Sequence, residues 1–334
     1  MKKILVTGAA GFIGSNLTRR LLSAGAKVIG VDNMNDYYDV RLKEYRLKLI
    51  DAAGTWTFLR GDLTDKNFLD ALFAEHRPTH VVNLAAQAGV RHSIDNGTAY
   101  IQSNVVGFFN VLESCRHFGA KHLVYASSSS VYGGNKKIPF AVNDATDKPV
   151  SLYAATKKFD ELMAHCYSHL YGIAATGLRF FTVYGAAGRP DMAYFKFTDK
   201  FIRGEDIELY NFGNELRDFT YVDDIVEGIC RVIDRPPRDA VPHKIYNIGH
   251  GKPVNLTEFV TVLQEELIRA EVLPPDYDFD AHKKFVPAQP GDVPITYADT
   301  SDFERDFNFR PTTPLREGLR VFAQWYKNFY VTPK

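Results

Sequence analysis

The sequence has no excess charge of either sign, and this lack limits the partners it can attract. Lys and Arg together number 40 and Asp and Glu together number 40 in 334 residues, so the formal net charge is zero. A neutral chain has no overall field that draws in a polyanion, so we expect neither nucleic acid nor an acidic membrane surface as a partner. Any site for an anion must be built locally, from a few placed groups.

Cysteine is scarce as well. The three cysteines, Cys115, Cys166 and Cys230, cannot all pair with one another and show none of the CxxC spacings of zinc sites. His165 and His169 lie four residues apart on a predicted helix, a spacing that can hold a metal, but no third ligand stands near them in the sequence. We therefore expect no disulfide framework and no metal site, and a reducing cytoplasm as the compartment.

Long apolar runs are also lacking. No stretch approaches the ~18 apolar residues that span a bilayer, and the apolar run near the N-terminus stops at Thr7-Gly8, too early for a signal peptide. The composition, 45% apolar and 24% charged, is that of an ordinary globular protein. The length of 334 residues predicts one large domain or two unequal ones, with no association with a membrane.

Strand-like and helix-like segments alternate in the first half of the chain. Short apolar runs predict strands over Lys3–Thr7, Lys27–Val31, Trp56–Arg60, His80–Leu84 and His122–Ser127. Apolar residues at helical spacing predict helices between them, over Ile13–Leu22, Lys66–Glu75 and Thr98–Phe118. This alternation predicts an α/β fold, a Rossmann-type doubly wound parallel sheet with ligands at the carboxyl ends of its strands.

The pattern changes after about Arg179, where turn residues become frequent. We predict one domain over residues 1–179 and a smaller mixed α/β lobe over residues 180–334, with some segments of the lobe returning to the first domain. The amphipathic stretch Val40–Ile50 is an insertion after the second strand. Its mixture of Lys, Arg and apolar residues is typical of a solvated helix, although Lys43 is a candidate to reach a ligand.

A glycine-rich turn joins the first predicted strand to the first predicted helix, in the segment Gly8–Gly14. Glycines there permit a tight turn and let backbone N–H groups approach a pyrophosphate at the helix N-terminus. Asp32 ends the second strand, where a carboxylate can accept hydrogen bonds from an adenosine ribose and would repel a 2′-phosphate. The pattern predicts NAD as the cofactor and makes residues 1–179 the NAD-binding domain.

Residues at the ends of other strands are expected to line the same groove, where small or polar side chains let the cofactor approach. The predicted cofactor-binding residues are Gly8, Gly11, Phe12, Ile13, Gly14, Asp32, Asn33, Lys43, Asp62, Leu63, Leu84, Ala85, Ala86, Gln87, Asn104, Tyr153 and Lys157.

A tyrosine and a lysine form the candidate reaction centre. Tyr153 and Lys157 lie four residues apart on a predicted helix, so their side chains share one face. A neighbouring ammonium favours the phenolate form of a tyrosine, which makes Tyr153 a candidate general base for an alcohol proton. A hydroxyl from the serines that end the fifth strand, Ser127 to Ser130, is the expected second hydrogen-bond partner.

Together these motifs resemble the extended short-chain dehydrogenase/reductase superfamily, over nearly the whole chain. Further segments are similar to the UDP-glucuronate 4-epimerase family, namely Asp36–Asp39, Leu84–Arg91, Arg179–Gly185, Gly188–Ala193, Arg217–Asp224 and Gln289–Val293. The resemblance implies tightly held NAD, a nucleotide-sugar substrate and a homodimer. The two subunits are expected to join through the helices of Thr98–Phe118 and Ser151–Leu170.

The resemblance also implies an activity, the interconversion of UDP-glucuronate and UDP-galacturonate. In this family's mechanism Tyr153 takes the proton of the C4 hydroxyl while the C4 hydride passes to NAD. Ser128 steadies the same oxygen, and Lys157 holds the nicotinamide ribose. The 4-keto sugar then turns over in the site and receives the hydride on its other face.

The substrate residues follow from positions around this core. Dehydratases carry an Asp-Glu pair and decarboxylases a glutamate where this chain has Ser129 and Ser130, so neither reaction is implied. The hydroxyls of these serines and of Thr182, with the guanidinium of Arg189, are expected to surround the C6 carboxylate, which arginine can bind through two hydrogen bonds. The other predicted substrate residues are Arg91, Lys196, Phe197, Arg217 for the diphosphate and Asp292 for the uridine ribose.

Two alternatives stay open. The chain has Ala186-Ala187 where the family commonly has Pro-Trp, which puts strict selectivity for glucuronate in doubt. An epimerase of UDP-glucose or UDP-N-acetylglucosamine is favoured if the Arg189 loop faces away from the substrate. A catalytically silent NAD-binding module is the other alternative, against which the intact Ser128, Tyr153 and Lys157 argue.

Overall fold

The computed structural model describes residues 2–288 and 293–332. Its strands, in chain order, are β1 (Lys3–Thr7), β2 (Lys27–Asp32), β3 (Thr57–Arg60), β4 (His80–Asn83), β5 (His122–Ser128), β6 (Ala175–Phe180), β7 (Thr182–Tyr184), β8 (Ile207–Leu209), β9 (Leu216–Arg217), β10 (Phe219–Tyr221), β11 (His243–Ile248), β12 (Val254–Asn255), β13 (Lys283–Phe285) and β14 (Ile295–Thr296).

The α-helices alternate with these strands through the first half of the chain, and α8 to α12 lie between and after the strands of the second half. They are α1 (Phe12–Ser23), α2 (Val40–Asp51), α3 (Lys66–His76), α4 (His92–Asp95), α5 (Gly97–Tyr100), α6 (Gly107–Phe118), α7 (Leu152–Tyr171), α8 (Ala193–Ile202), α9 (Val222–Ile233), α10 (Leu256–Arg269), α11 (Ser301–Phe307) and α12 (Leu315–Tyr326). Short 3-10 turns lie at Ser129–Tyr132, Tyr210–Gly213 and Asp280–His282, and π-helical turns at Ile101–Val106 and Lys327–Val331.

A parallel sheet of seven strands forms the centre of the molecule, in the order β11-β6-β5-β4-β1-β2-β3. Side chains of β1 alternate between its faces: Leu5 packs in the cluster that contains α3 and α6, whereas Ile4 and Val6 pack in the cluster that contains α1 and α9. Both faces are therefore covered, and the predicted α/β fold with a doubly wound parallel sheet is confirmed.

The second half of the chain contributes to this sheet and also forms smaller ones. β11 pairs with β6, and the apolar face of α9 packs against α1. β7 pairs with β10, β8 with β13, and β9 lies between β12 and β14 in a mixed sheet. The domain boundary at residue 179 stays a prediction. β11 and α9, which follow it in the sequence, pack against β6 and α1 of the first part.

The helix predicted over Thr98–Phe118 has a π-helical turn within it. α5, this turn and α6 run without a break from Gly97 to Phe118. Asn104, within the π-helical turn, is 1% exposed. Its side chain accepts the N–H of Gln87 at 2.8 Å and donates to the carbonyl oxygen of the same residue at 3.0 Å. The wider turn thus fastens the segment after β4, which leads into the candidate site.

Candidate active site

The glycine turn after β1 leaves no room for side chains. Gly8 has a φ of +67°, and a Cβ atom there would lie 2.8 Å from the backbone nitrogen of Ala85. A Cβ atom at Gly14 would lie 2.0 Å from the carbonyl oxygen of Gly8. Gly11 is the N-cap of α1 and supplies no side-chain cap. The first N–H groups of α1 can therefore serve an anion such as a pyrophosphate, so the turn fits the predicted cofactor.

Asp32 ends β2 beside this turn and is 7% exposed. One carboxylate oxygen accepts the N–H of Ala10 at 3.1 Å, and the other accepts the N–H of Met34 at 2.9 Å. A carboxylate has about four lone-pair positions, so Asp32 retains acceptor capacity for a ribose hydroxyl.

Asp62, after β3, faces the same cleft. It accepts hydrogen bonds from the side chain of Asn33 at 2.8 Å and from the hydroxyl of Thr64 at 2.7 Å. Although burial raises the pKa of Asp62, these hydrogen bonds, together with one from the backbone N–H of Thr64, lower it below its ordinary value. The group is therefore held as a carboxylate at neutral pH.

The prediction of a solvated helix over Val40–Ile50 is wrong for the face of α2 that lies toward the cleft. Lys43 is 5% exposed, and its ammonium donates to Asn35 at 2.9 Å and lies 3.5 Å from an Asp32 carboxylate oxygen. Arg46 is fully buried. The ammonium of Lys43 and the guanidinium of Arg46 make hydrogen bonds within the protein instead of with water. The sequence shows only that both residues are charged, so it predicts a solvated position for them.

The candidate reaction centre lies where β5 and α7 meet. Ser128, Tyr153 and Lys157 line the cleft that also contains the glycine turn. The ammonium of Lys157 donates to the carbonyl oxygen of Ala126 at 2.9 Å and to Asp160 at 3.1 Å. α7 begins after Ser151, whose hydroxyl accepts the N–H of the third residue of the helix at 3.1 Å. This cap fixes the helix end that carries the tyrosine.

A buried ion pair fastens α7 to the sheet. Both carboxylate oxygens of Glu161 accept from the guanidinium of Arg179 on β6, at 2.7 and 2.9 Å. Ser127 on β5 also donates to Glu161, at 2.7 Å. Burial raises the pKa of Glu161, but Arg179 and Ser127 together bring it below its ordinary value. Three elements, β5, β6 and α7, therefore meet at one carboxylate.

Arg189 also lines the cleft, together with Ser128 and Tyr153. Its guanidinium pairs with the carboxylate of Asp191 through Nε at 3.0 Å and Nη2 at 2.5 Å. Tyr37 lies against the same carboxylate, with its hydroxyl 3.5 Å from Oδ2. The loop that carries Arg189 therefore faces the cleft, and its guanidinium already binds a carboxylate through two hydrogen bonds.

Most of the predicted cofactor residues line this cleft as the described residues form it. The residues brought together are Gly8, Gly11, Phe12, Ile13, Gly14, Asp32, Asn33, Lys43, Asp62, Leu63, Leu84, Ala85, Ala86, Gln87, Tyr153 and Lys157. Asn104 is absent from the lining that these described residues form, but its side chain makes two hydrogen bonds to the backbone of Gln87, which lines the cleft.

The predicted substrate residues divide into two groups. Ser128, Tyr153 and Arg189 line the cleft, whereas the lining formed by the described residues does not include Arg91, Ser129, Ser130, Thr182, Lys196, Phe197 or Arg217. The guanidinium of Arg91 lies 4.8 Å from the ring centre of Tyr210, and that of Arg217 pairs with Glu215 at 2.9 Å. Asp292 lies outside the described residues. The roles of these residues stay predictions.

Sequence reasoning missed several residues of the cleft. Those in the last residues of strands, such as Val31, Ala126 and Phe180, were within reach of the rule that ligands bind at the carboxyl ends of parallel strands. Tyr37, Tyr38, Asn35, Ser103 and Met192 come from loops and helices without such a signal.

Two features are absent from the described residues. No helix in residues 2–288 and 293–332 is long and apolar enough to cross a membrane. The same residues contain no group of three or more His, Cys, Asp or Glu side chains placed to hold a metal ion.

Comparison with known proteins places the chain in a family. The family model described as "NAD dependent epimerase/dehydratase family" matches residues 4–249. Protein CapI of Staphylococcus aureus is 50% identical, over 98% of this chain and 99% of its own, and UDP-glucuronate 4-epimerase 2 of Arabidopsis thaliana is 44% identical, over 98% and 76%. The structure of UDP-glucuronic acid 4-epimerase from Bacillus cereus, in complex with UDP-glucuronic acid and NAD, is 29% identical, with a TM-score of 0.86 over 98% of this chain and 100% of that chain. These similarities confirm the resemblance expected from the motifs, and the chain belongs to the NAD-dependent epimerase/dehydratase family.

Proposed function

We propose that the protein is an NAD-dependent UDP-glucuronate 4-epimerase, which interconverts UDP-glucuronate and UDP-galacturonate. The observation that carries the proposal is one cleft whose lining includes both the glycine turn and Ser128, Tyr153 and Arg189. The similarity to the Arabidopsis thaliana and Bacillus cereus 4-epimerases supports the same reaction.

Different residues of the cleft have different proposed roles in cofactor binding and in the reaction. The turn of Gly8–Gly14 receives the cofactor pyrophosphate, and Asp32 accepts the adenosine ribose hydroxyls. When bound, NAD would supply the hydride acceptor and donor for C4 of the sugar. Tyr153 removes the C4 hydroxyl proton and gives it back, Ser128 donates to the same oxygen, and Lys157 holds the nicotinamide ribose. No net oxidation occurs, so the cofactor is not consumed.

Arg189 is the residue that we assign to the sugar carboxylate. It lines the cleft near the reaction centre, and its pairing with Asp191 demonstrates the two-point geometry that arginine uses for carboxylates. A substrate carboxylate would take over donors that Asp191 now occupies. This orientation favours glucuronate over the uncharged sugars of the alternative epimerases, which offer the guanidinium no counter-charge.

One assay separates the candidate functions. Purified protein is incubated with UDP-glucuronate, UDP-glucose and UDP-N-acetylglucosamine, first without and then with added NAD, and the epimers are resolved. Conversion of UDP-glucuronate alone is expected. Conversion of an uncharged sugar in preference would support the alternative epimerases, and no conversion of any sugar with NAD supplied would favour the silent cofactor-binding module.

We also propose that the protein is a homodimer joined through α6 and α7. Phe109 on α6 and Phe159, Leu162 and Leu170 on α7 are each more than 40% exposed. The ring of Phe109 lies 6.4 Å from that of Tyr167, so the exposed faces of the two helices adjoin. Exposed apolar side chains grouped in this way are typical of a contact between subunits.

The oligomeric state is testable by light scattering after size exclusion. Phe109→Glu combined with Leu162→Glu is expected to give a monomer, because each carboxylate would be buried in the contact. Val321→Glu, at a 39% exposed position on α12, is the matched control and is expected to leave the dimer intact. A monomeric wild-type protein would contradict the proposal.

The compartment remains a proposal as well. Cys115, Cys166 and Cys230 form no disulfides, and Cys115 is buried. These thiols support the reducing cytoplasm that the cysteine content predicts.

A further inference from the structure

Arg46 on α2 is 0% exposed, and each nitrogen of its guanidinium donates a hydrogen bond. Nε and Nη2 both donate to the carbonyl oxygen of Ala187, at 2.9 and 2.7 Å, and Nη2 also donates to that of Gly188 at 2.9 Å. Nη1 donates to the carbonyl oxygen of Ala10 at 3.1 Å and to the hydroxyl of Tyr38 at 2.6 Å. The five N–H groups of the side chain are therefore all used.

These acceptors belong to two functional loops that are far apart in sequence. Ala10 lies in the glycine turn, which receives the cofactor pyrophosphate. Ala187 and Gly188 immediately precede Arg189, which lines the sugar end of the cleft. A single planar guanidinium thus joins the cofactor turn to the substrate loop.

The substrate loop needs such a support. Ala187 has a φ of +50°, in the left-handed region that a side chain disfavours. A residue keeps such a conformation only where its surroundings fix it. Two of the five hydrogen bonds of Arg46 go to the carbonyl oxygen of this residue, so the conformation of the loop just before Arg189 depends on α2.

We propose that Arg46 is a positioning residue that couples the two halves of the site, so that the cofactor and the UDP-sugar strengthen the binding of each other. The guanidinium is rigid, so a ligand that orders one loop also orders the other and lowers the entropy cost of the second binding step. Both ligands are anions, and each places negative charge near this buried cation. The proposal rests on the proposed function for the identity of the second ligand.

The variant Arg46→Lys distinguishes the effect of the hydrogen bonds between the two loops from the effect of the positive charge. The lysine ammonium is a single point and cannot present a fork to two loops, so Arg46→Lys keeps the cation and loses the bridge. Arg41→Lys is the matched control. Arg41 lies on the same helix, has a side chain that is 78% exposed, and pairs only with Asp39 among the ion pairs of the described residues.

The test is a linkage measurement by isothermal titration. In a Tyr153→Phe background, which prevents turnover, UDP-glucuronate is titrated into cofactor-free and NAD-loaded protein. We expect NAD to tighten the binding by at least about fivefold in the background protein and with Arg41→Lys, the lower end of typical coupling between sites. With Arg46→Lys the ratio is expected to fall close to one.

A second measurement does not depend on the folding of Arg46→Lys. UDP-glucuronate added to cofactor-free protein with Arg46 intact should slow amide hydrogen exchange in residues 8–14, the turn that we assign to the cofactor. Unchanged exchange there, or an affinity ratio that Arg46→Lys leaves unaltered, overturns the coupling. If NAD-loaded protein does not bind UDP-glucuronate at all, the proposed function fails instead, and the same linkage is measured with UDP.

Discussion

At the scale of single residues, the chemistry depends on side chains whose surroundings restrict them. Lys157 is 3% exposed and is held by one carbonyl oxygen and one carboxylate. Ser128 ends a buried strand, and Tyr153 lies one turn before the lysine on a capped helix. Such fixed groups lose little freedom when the substrate binds, which is what proton transfer at a defined oxygen requires.

The first prediction at this scale concerns the hydroxyl of Tyr153, the proposed general base. Tyr153→Phe removes the proton acceptor while it leaves the ring in place, so kcat for UDP-glucuronate should fall by about 10²- to 10⁴-fold with cofactor content unchanged. Tyr167→Phe, on the same helix but bonded to Glu113 at 2.7 Å, is the control and should keep its activity. Equal rates for the two variants would remove Tyr153 from the mechanism.

The second prediction concerns Arg189, which we assign to the carboxylate of the sugar. A 4-keto glucuronate is a β-keto acid, which loses CO₂ when its carboxylate bond aligns with the carbonyl π system. Arg189→Ala should therefore raise the fraction of UDP-pentose by-product severalfold, measured by chromatography of the reaction. Arg203→Ala, at a 59% exposed side chain, is the control. An unchanged product ratio for Arg189→Ala would contradict its assignment to the carboxylate.

At the scale of elements, α7 contains Tyr153 and Lys157 of the proposed reaction centre, and α7 packs against the sheet. One contact between them is the buried pair of Glu161 and Arg179, whose side chains are 1% and 2% exposed. A buried pair of this kind contributes little net stability, but the loss of one partner leaves an uncompensated charge. The position of Tyr153 relative to Ser128 therefore depends on an ion pair that touches neither residue.

Glu161→Gln tests this support. It should lower the free energy of unfolding by roughly 3–5 kcal/mol, measured by urea denaturation, because the guanidinium of Arg179 stays buried without its counter-charge. Glu227→Gln removes a partner from the surface pairs with Arg20 and Arg231 and should cost less than about 1 kcal/mol. Similar losses for both variants would show that the buried pair has no special role.

The elements also show what the sequence could and could not predict. The glycine turn, the strands up to β5 and the start of α7 carry strong local signals, and the structure has them within one or two residues of the predicted bounds. β9, β12 and β14 are two residues long and have no periodicity to detect. Such strands exist only through tertiary pairing.

The same limit applies to the site. The residue types and spacing predicted most of the residues that line the cleft together, because a strand end or a glycine turn fixes position locally. The environment of Arg46 was not predicted, since its four acceptors come from segments as distant as Ala10 and Gly188. An arginine with its donors used inside the protein and an arginine on a solvated helix look alike in a sequence.

At the scale of the whole molecule, a chain of zero net charge forms a cleft that we propose binds two anions. The local groups that the composition requires are the N-terminus of α1, Lys43, Lys157 and Arg189, all on the lining of one cleft. Carboxylates close to them, such as Asp32 and Asp160, keep the total balanced. A net charge of zero is therefore the sum over the whole chain. It does not prevent positive groups from being grouped on the lining of one cleft.

The end of the sheet away from the cleft makes stability depend on pH. His122, the first residue of β5, is fully buried, and its ring contacts Thr176 at 2.9 Å. Burial lowers the pKa of His122 to about 4. The unfolded state therefore binds more protons between pH 6.5 and about 4, so stability is full above this window and is lost as the pH falls through it.

The size of this effect is measurable. Each pKa unit corresponds to about 1.36 kcal/mol, so the loss attributable to His122 across the window is roughly 3 kcal/mol. His122→Asn should make the free energy of unfolding less dependent on pH between 4 and 6.5. His117→Asn, at a 52% exposed side chain, should leave the slope unchanged. Burial also lowers the pKa of His243 to about 4, so part of the slope should survive in His122→Asn, and a slope equal to that of the wild type would contradict the role of His122.

The central claim is that C4 of the sugar is oxidised and then reduced again within one closed cycle. Its most direct measurement uses UDP-glucuronate that carries deuterium at C4, incubated in ordinary water without added NAD. We predict that the UDP-galacturonate formed retains deuterium at C4, because the hydride that leaves is the one that returns. Loss of the deuterium to solvent would contradict the account.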